Sequence, residues 1–521
     1  MKVPLTPLRC LARAVDLYGH KEAVVCGQER FIWRQFAERC YRLASALGAA
    51  GVRQDDRVGY LSFNSHRLLE GYYGVPQARA TVMPLNVRLT PVELGAILRH
   101  AEPRLLFYED DFAPLVAQLR QAAPSMRTIN LDREYEEFLA GGTPEAPDIF
   151  SYDEDSIAEL FYTSGSTGTP KGVMLSHRTL YLHAISILGC FYPDDSGVEL
   201  HTIPLFHANG WGRPQTATLL GIKQVMVRRF EPPRVLSLIQ EEKATGMTLV
   251  PTMAHALLMV PDISSYDLSS MRQIYIGGAA SSPELIALME RVFHCDVQAG
   301  YGLTETSPVV TTARKKSTVN YRDEVDRFRR QSTAGWTVPG TEVMVADANL
   351  QPVPRDMKTI GEVLVRGDNV MDGYYRDPEG TAAAVTDRWL HTGDMAVWDA
   401  EGYINIVDRK KDIIISGGEN ISSIEVEHVL ATHPSVAEAA VVGAPDESWG
   451  EVPVAFVVFK PNLSCTEQEL NAFSAERLAK FKLPRRYEFR TDPLPKGGTG
   501  KVLKRELREP FWLGKERRVQ G

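Results

Sequence analysis

Between Phe161 and Gly172 the chain reads FYTSGSTGTPKG. Thr163, Ser164, Gly165, Ser166, Thr167 and Gly168 supply small hydroxyls and an unencumbered backbone, so N–H groups can approach phosphate oxygens closely; Lys171 adds a cation. The run follows an apolar stretch, Ile157–Tyr162, and precedes a helical pattern, which favours a phosphate-binding loop over a flexible linker. It is not a Walker A loop. That motif sets four residues between its glycines and a Ser or Thr after its lysine, whereas Gly172 follows Lys171 here. A kinase or GTPase reading weakens accordingly. Far downstream, Lys501 ends the glycine-rich run PKGGTGK (495–501), a setting unlike that of an ordinary solvated lysine.

Further short runs of the same character follow in order: PLFHANGW (204–211), IGGAA (276–280), AGYGLTET (299–306), LHTGD (390–394), DRKKD (408–412) and SGGEN (416–420). Together with the 161–172 loop and the 495–501 run, they resemble the ordered signature of the adenylate-forming (AMP-binding) superfamily, the acyl-CoA synthetases, adenylation domains and firefly-type luciferases. The resemblance covers nearly the whole chain, and an ordered set of eight motifs is highly specific.

The family likeness implies a fatty-acid–CoA ligase. Such an enzyme activates a carboxylic acid with ATP to acyl-AMP, releasing pyrophosphate, and then passes the acyl group to coenzyme A. A carboxylate approaching an anionic α-phosphate needs cations; Lys501 matches the family's catalytic lysine, with Lys171 in the loop. Glu305 matches the glutamate that holds Mg²⁺, with Thr163 as hydroxyl contributor; Mg²⁺ takes oxygen ligands and keeps waters, so one carboxylate plus phosphates suffices. Gly278, Ala279, Ala280, Gly300, Tyr301, Gly302, Leu303 and Thr304 would bind the nucleotide, with Tyr301 and the 277–280 segment sandwiching adenine. Asp394 would pair with the ribose hydroxyls and Arg409 with ribose or phosphate. Lys411 stands at the family's hinge, and Gly417 and Gly418 at its coenzyme A side. His207, Trp211, Gly277 and Gly278 would line the acyl channel, and HANGW (207–211) is close to the pattern of bacterial medium- and long-chain ligases. Ile415 and Asn420 depart from some long-chain relatives, which carry lysine and tryptophan there. Two alternatives share these motifs: a stand-alone acyl-AMP ligase that loads a carrier protein, and a CoA ligase for an aryl or other non-fatty acid. A non-catalytic nucleotide sensor on the same fold is countered by Lys501, Glu305, Asp394 and Lys171.

These residues need a scaffold. At 521 residues, two or three globular units are expected. Phe36, Cys40, Leu43 and Leu47 recur at helical spacing and stop at Gly51, while 57–63 (RVGYLSF) and 104–108 (RLLFY) read as strands, the latter followed by a helical pattern around 112–123. Such alternation implies βαβ units. Residues 313–330 are a charged interruption, after which TEVMVAD and GEVLVRG read as short strands. Beyond the polar VDRKKD stretch, 423–431 reads as helix and 439–442 and 452–459 as strands. The expected fold is α/β: a large N-terminal domain (1–408) of βα-layered subdomains plus a β-rich subdomain, a hinge (409–411), and a small mobile α+β C-terminal domain (412–521).

Apolar residues make up 44 % and charged residues 24 %, a soluble globular profile that argues against extensive disorder. No apolar run is long enough to span a membrane, and the N-terminal segment lacks a secretory core. Six scattered cysteines suggest neither a disulfide framework nor a zinc site, and a cytoplasmic setting fits. The net charge of −8 is uneven: residues 477–521 hold fourteen Lys or Arg against five Asp or Glu. A basic tail suits a polyanion such as ATP or coenzyme A, and no nucleic-acid module accompanies it. Related bacterial enzymes are often dimers, but no heptad is readable here.

Overall fold

The computed structural model describes residues 2–163, 170–192, 194–417, 419–446, 448–496 and 502–513. Ser164, Gly165, Ser166, Thr167 and Gly168 of the loop, Gly418 and Lys501 lie outside these described residues. The chain forms two compact units. One comprises Met1–Val343, Val365–Leu390 and Glu401–Ile404; the other comprises Met344–Leu364, His391–Ala400 and Asn405–Gly521.

The first unit holds two sheets. In the seven-stranded sheet the order is Arg127–Asn130, Leu105–Tyr108, Arg57–Leu61, Thr81–Pro84, Ile157–Thr163, Lys171–Ser176, Gly373–Tyr374. Its strands are parallel up to Ile157–Thr163, and the last two are antiparallel. The runs VGYL and LLF are nearly continuous in apolar character because helices cover both faces. Helix Trp33–Ala49 buries Trp33, Phe36, Cys40, Leu43 and Leu47 along one stripe. It packs on helix His66–Gln77 at Gly74, where a methyl group would meet Leu43 at 2.7 Å. Each such buried large side chain contributes roughly 1.5–3 kcal/mol.

One expectation changes here. The phosphate-loop segment does not lead directly into a helix: Lys171–Ser176 is a strand, and helix His177–Phe191 starts only after it, capped by Ser176. The alternating pairing of Val173 and Leu175 inside the sheet, both buried, wins over the helical pattern that begins at His177. The described segment that follows the loop is therefore a strand, antiparallel to Ile157–Thr163, and not a helix N-terminus.

The nine-stranded sheet runs Trp336–Thr337, Val309–Thr312, Asp296–Gly302, Gln273–Ile276, Gly246–Leu249, Val198–His201, Lys223–Met226, Glu22–Cys26, Glu29–Ile32. From Asp296–Gly302 across to Glu22–Cys26 the strands are parallel. Their register places Leu249 beside Ile276 and Ile276 beside Ala299. The loops that follow these strands thus leave from one carboxyl edge, where open α/β sheets place ligands.

The second unit contains a sheet ordered Glu419–Ile421, Ile414–Ser416, Gly450–Phe459, Val436–Asp446, with Arg486–Arg490 parallel to Gly450–Phe459. Helices Ser423–Ala431, Glu467–Ala475 and Lys504–Trp512 accompany it, and Ile414, Ile421, Val426, Leu430, Val441 and Val457 form its core. The expected class holds: mixed α/β, with a large N-terminal domain and a smaller C-terminal α+β domain. No helix of the described residues is long and apolar enough to cross a membrane.

Candidate active site

Antiparallel pairing sets Thr163 opposite Lys171 and Tyr162 opposite Gly172, bringing the two ends of the phosphate-loop segment together as the base of a hairpin. A second segment, 371–377, lies across the base of this hairpin. Gly373 and Tyr374 pair with Met174 and Val173, and the Tyr375 N–H donates to Gly172 O at 2.7 Å. Gly172 leaves little room for a side chain: a methyl there would meet Leu160, Tyr162 and Tyr375 at 3.1–3.2 Å, so each would have to give way slightly. The crossing brings Tyr374 to the centre. Its ring lies 4.4 Å below the Lys171 ammonium, and its hydroxyl donates to Glu305 Oε1 at 3.0 Å. The Met371 N–H donates to the Glu305 carbonyl at 2.8 Å, fixing that residue's backbone as well. Burial, with the Glu305 carboxylate beside it, pushes the Tyr374 phenol above its ordinary range, so it stays a donor. Lys171 also faces Asp377 at 3.8 Å, a half-exposed pair of small energetic weight. Lys171, Glu305 and the hairpin base thus form one assembly, and Tyr374, the residue that joins them, was not among the residues singled out from sequence. Its signal lies in the GYYRDP run (373–378), whose paired tyrosines read as ordinary strand residues.

At the carboxyl edge of the nine-stranded sheet, Gly277 follows strand Gln273–Ile276, and its N–H donates to Leu249 O at 3.0 Å. A methyl at Gly277 would meet the Trp211 indole at 2.9 Å and Gly300 O at 3.0 Å, so the indole lies directly on this glycine backbone. Gly278 has φ +75°, and Gly278, Ala279 and Ala280 are exposed. Gly300, Tyr301 and Gly302 end the neighbouring strand, with Tyr301 opposite Thr311. The Leu303 N–H donates to Pro308 O, and Thr304 opens the short turn that carries Glu305. The structure therefore brings Trp211, Gly277, Gly278 and Gly300 into one edge.

Trp211 stands in an unusual backbone. Ala208, Asn209, Gly210, Trp211 and Gly212 have φ of 44°, 55°, 52°, 64° and 72°, five consecutive left-handed residues. Three of them carry side chains, for which left-handed helix is disfavoured by roughly 1–2 kcal/mol per residue, so the surroundings must hold the turn. On one side, Gly212 lies against the His183 imidazole, with no space for a methyl. His183 is buried, its Nε2 accepts from the Val309 N–H at 3.1 Å, and burial lowers its pKa to about 3, so the ring is neutral. On the other side, Arg213 opens helix Arg213–Leu220 with a fully buried pair to Glu199, Nε–Oε1 2.9 Å and Nη2–Oε2 2.5 Å. The Phe191 and Tyr192 rings flank its guanidinium at 4.0 and 4.5 Å. His207 sits at the head of the turn, its N–H bonded to Pro204 O at 3.0 Å. His183 and Arg213 were also missed from sequence; a histidine within an apolar helix face was the available signal.

In the second unit, Asp394 is buried on strand Trp389–Trp398 and pairs with Arg409 Nε at 2.7 Å. Thr392 orients both, its hydroxyl accepting from the Asp394 N–H and its carbonyl accepting from Arg409 Nη1 at 3.2 Å. Asp408 accepts from the N–H and hydroxyl of Ser423, while Arg508 donates to the Lys411 carbonyl at 2.9 Å and to Asp412 at 2.8 Å. Gly417, at φ +60°, lies against the Trp449 ring and donates its N–H to Trp449 O at 2.7 Å. That indole is 47 % exposed, with Arg485 5.6 Å from its centroid, so an open aromatic ring borders an exposed glycine. Ile415 pairs directly with Asn420 across the hairpin of Ile414–Ser416 and Glu419–Ile421. The two departures from the long-chain pattern are therefore cross-strand neighbours at a single place. Among the described residues no cluster of three or more His, Cys, Asp or Glu is placed to hold a metal.

Residues 11–375 match the AMP-binding enzyme family, and residues 425–501 match the AMP-binding enzyme C-terminal domain. A long-chain-fatty-acid–CoA ligase of Thermus thermophilus is 39 % identical, covering 96 % of this chain and 94 % of its own. A peroxisomal butyrate–CoA ligase of Arabidopsis thaliana is 36 % identical, covering 97 % and 93 %. Among solved structures, an anthranilate CoA ligase in complex with anthranoyl-AMP superposes with a TM-score of 0.87 at 27 % identity, over 99 % of this chain and 98 % of that one.

Proposed function

The chain belongs to the AMP-binding enzyme family as an AMP-forming acid–thiol ligase, and from that premise we propose that its acid is an unbranched fatty acid of medium or long chain. In the first step a carboxylate oxygen attacks the α-phosphorus of ATP and pyrophosphate leaves; in the second, the coenzyme A thiolate attacks the acyl carbon and AMP leaves. Lys171 and Lys501 neutralise the approaching anions, the larger part of what a site can do for phosphoryl chemistry. Tyr301 and the 278–280 segment receive adenine, and Asp394, oriented by Arg409 and Thr392, accepts from the ribose hydroxyls. Mg²⁺ fits the donor set: Glu305 is held by Tyr374 through one carboxylate oxygen, and Thr163 ends the strand beside Lys171. When bound, the ion would offset phosphate charge. All six cysteines are unpaired, which supports a reducing compartment such as the cytoplasm.

The observation that carries the acid assignment is the Trp211 indole packed against Gly277 and Gly278. An apolar wall on a bare glycine backbone suits a methylene chain and offers no charge to a polar acid. A second reading comes from the same contact: an indole packed on Gly277 and Gly278 takes up volume there itself, which suits a short or flat acid. Pyrophosphate release across a panel from butyrate and benzoate to octanoate and palmitate separates the two. Highest kcat/KM among the medium and long chains is expected, and Trp211→Ala should shift chain-length preference while leaving the KM for ATP unchanged. A clear win for benzoate or butyrate would replace the first reading by the second. The nucleotide products should be AMP and pyrophosphate.

A further inference from the structure

Helix Arg213–Leu220 is buried from Arg213 through Leu219, yet half of its eight residues are polar. Each of these side chains is bonded to a different part of the first unit. Arg213 pairs with Glu199; Thr216 donates to Ala184 O; Thr218 accepts from Tyr73 and Gln224. Gln215 reaches the strand that feeds the phosphate hairpin: its Nε2 donates to Glu159 Oε1 at 2.8 Å.

Glu159 is 1 % exposed and is four residues before Thr163 on strand Ile157–Thr163. The two remaining oxygens of the pair, Glu159 Oε2 and Gln215 Oε1, are both buried, and neither has a hydrogen-bond donor. With one oxygen of each group engaged in the Nε2–Oε1 bond, an ionised carboxylate would leave two orphaned acceptors side by side. A proton on Oε2 supplies the one missing donor and satisfies both at once. We propose that Glu159 is a neutral carboxylic acid closing a two-hydrogen-bond ring with the Gln215 amide, and that this ring positions the phosphate-hairpin strand against the helix that carries the Trp211 turn.

The surroundings agree. Burial holds the carboxyl well above the usual carboxylate range. The ionisable groups facing it, Tyr72 and Tyr73 of helix His66–Gln77, give their hydroxyls to Leu205 O and Thr218, both at 2.7 Å, so neither serves Glu159. Its cross-strand neighbours, Val82 and Leu175, are apolar. The geometric consequence follows from where the two elements lead. Strand Ile157–Thr163 ends at the proposed nucleotide site, and helix Arg213–Leu220 begins two residues after Trp211, so the ring is a direct polar bond between the ATP side and the acid side. This positional part rests on the function proposed above; the protonation does not.

Four variants test it: Glu159→Gln, Glu159→Ala, Gln215→Glu and the swap Glu159→Gln with Gln215→Glu. The infrared difference between wild type and Glu159→Gln at neutral pH should contain the C=O stretch of a protonated carboxyl. The folded state keeps the proton that the unfolded chain releases, so wild-type stability is full below the ordinary carboxylate pKa and is lost as pH rises toward the folded value. Relative to wild type, the unfolding equilibrium constant of Glu159→Gln should therefore fall about tenfold per pH unit across that window, read as a Tm gap that widens in the variant's favour as pH rises. Kinetically, Glu159→Gln preserves the ring and should keep KM for acid and for ATP within about twofold, whereas Glu159→Ala should raise both together by about tenfold. The swap should restore what Gln215→Glu alone loses as pH rises, and this arm stands even if Glu159→Ala does not fold. Absence of the protonated band together with a pH-independent Tm gap would overturn the protonation; a Glu159→Gln variant as impaired as Glu159→Ala, or a swap no better than Gln215→Glu, would overturn the ring.

Discussion

Tyr374 uses the two ends of one side chain for opposite charges: its ring face meets the Lys171 ammonium and its hydroxyl meets the Glu305 carboxylate. A hydrogen bond to a charged group contributes about 1.5–3 kcal/mol, so Tyr374→Phe should lower kcat/KM for adenylation by roughly 10- to 100-fold. Tyr374→Ala, which also removes the cation–π contact, should lower it further. ATP–pyrophosphate exchange measures both; a Phe variant indistinguishable from wild type would mean that Glu305 is held by its backbone alone. Glu305 and Trp211 were legible in the sequence because their neighbours in the chain, Tyr-Gly-Leu-Thr and His-Ala-Asn-Gly, carry the pattern. Tyr374, His183 and Glu159 were not, since each acquires its role from a partner far along the chain: Glu305, Val309 and Gln215 respectively. Nothing in a local window distinguishes such residues from core packing.

The same contrast holds for elements. The stripe from Phe36 to Leu47 and the apolar runs at 57–61 and 105–108 announced their helix and strands, because periodicity and burial coincide there. The strand Lys171–Ser176 was hidden by the helical pattern just after it, and the left-handed turn at 208–212 by its own composition, since only Gly210 and Gly212 signal it. That turn depends on its neighbours, and His183 is the neighbour that titrates. Burial lowers the folded-state pKa of His183 to about 3, while the unfolded chain takes up a proton near the ordinary histidine value. Stability from this site is therefore complete above that ordinary value and is lost as pH falls toward about 3, at most about 1.4 kcal/mol per pH unit. His66 and His177, lowered by burial to about 3 and about 4, act in the same direction. His183→Gln keeps an acceptor for the Val309 N–H but cannot titrate, so its thermal unfolding should lose less on acidification from pH 6.5 to 4.5 than that of wild type. Parallel acid curves for the two proteins would remove His183 from the account.

At the scale of the whole molecule the reaction asks for two different environments in turn: cations around carboxylate and α-phosphate first, then access for a thiol. We propose that the smaller domain supplies Lys501 for the first half and the Gly417–Gly418 segment for the second, turning about Lys411. The backbone on both sides of that residue is anchored within the second unit. Asp408 is bonded to Ser423, Arg508 holds the Lys411 carbonyl and Asp412, and Lys504 pairs with Glu427 at 2.7 Å on the same helix that carries Arg508. A turn about Lys411 therefore has to break or carry these bonds while a few residues absorb the backbone change. Removing one preorganised cation at a developing charge lowers the rate by ~10²–10³-fold, so Lys501→Ala should lose adenylation while still converting supplied acyl-adenylate to acyl-CoA. Lys411→Pro, which restricts φ at the pivot, should spare adenylation and slow thioester formation. Both half-reactions must be measured on both variants. Equal loss in the two halves for Lys501→Ala, or unimpaired thioester formation in Lys411→Pro, would mean that one fixed arrangement serves both steps.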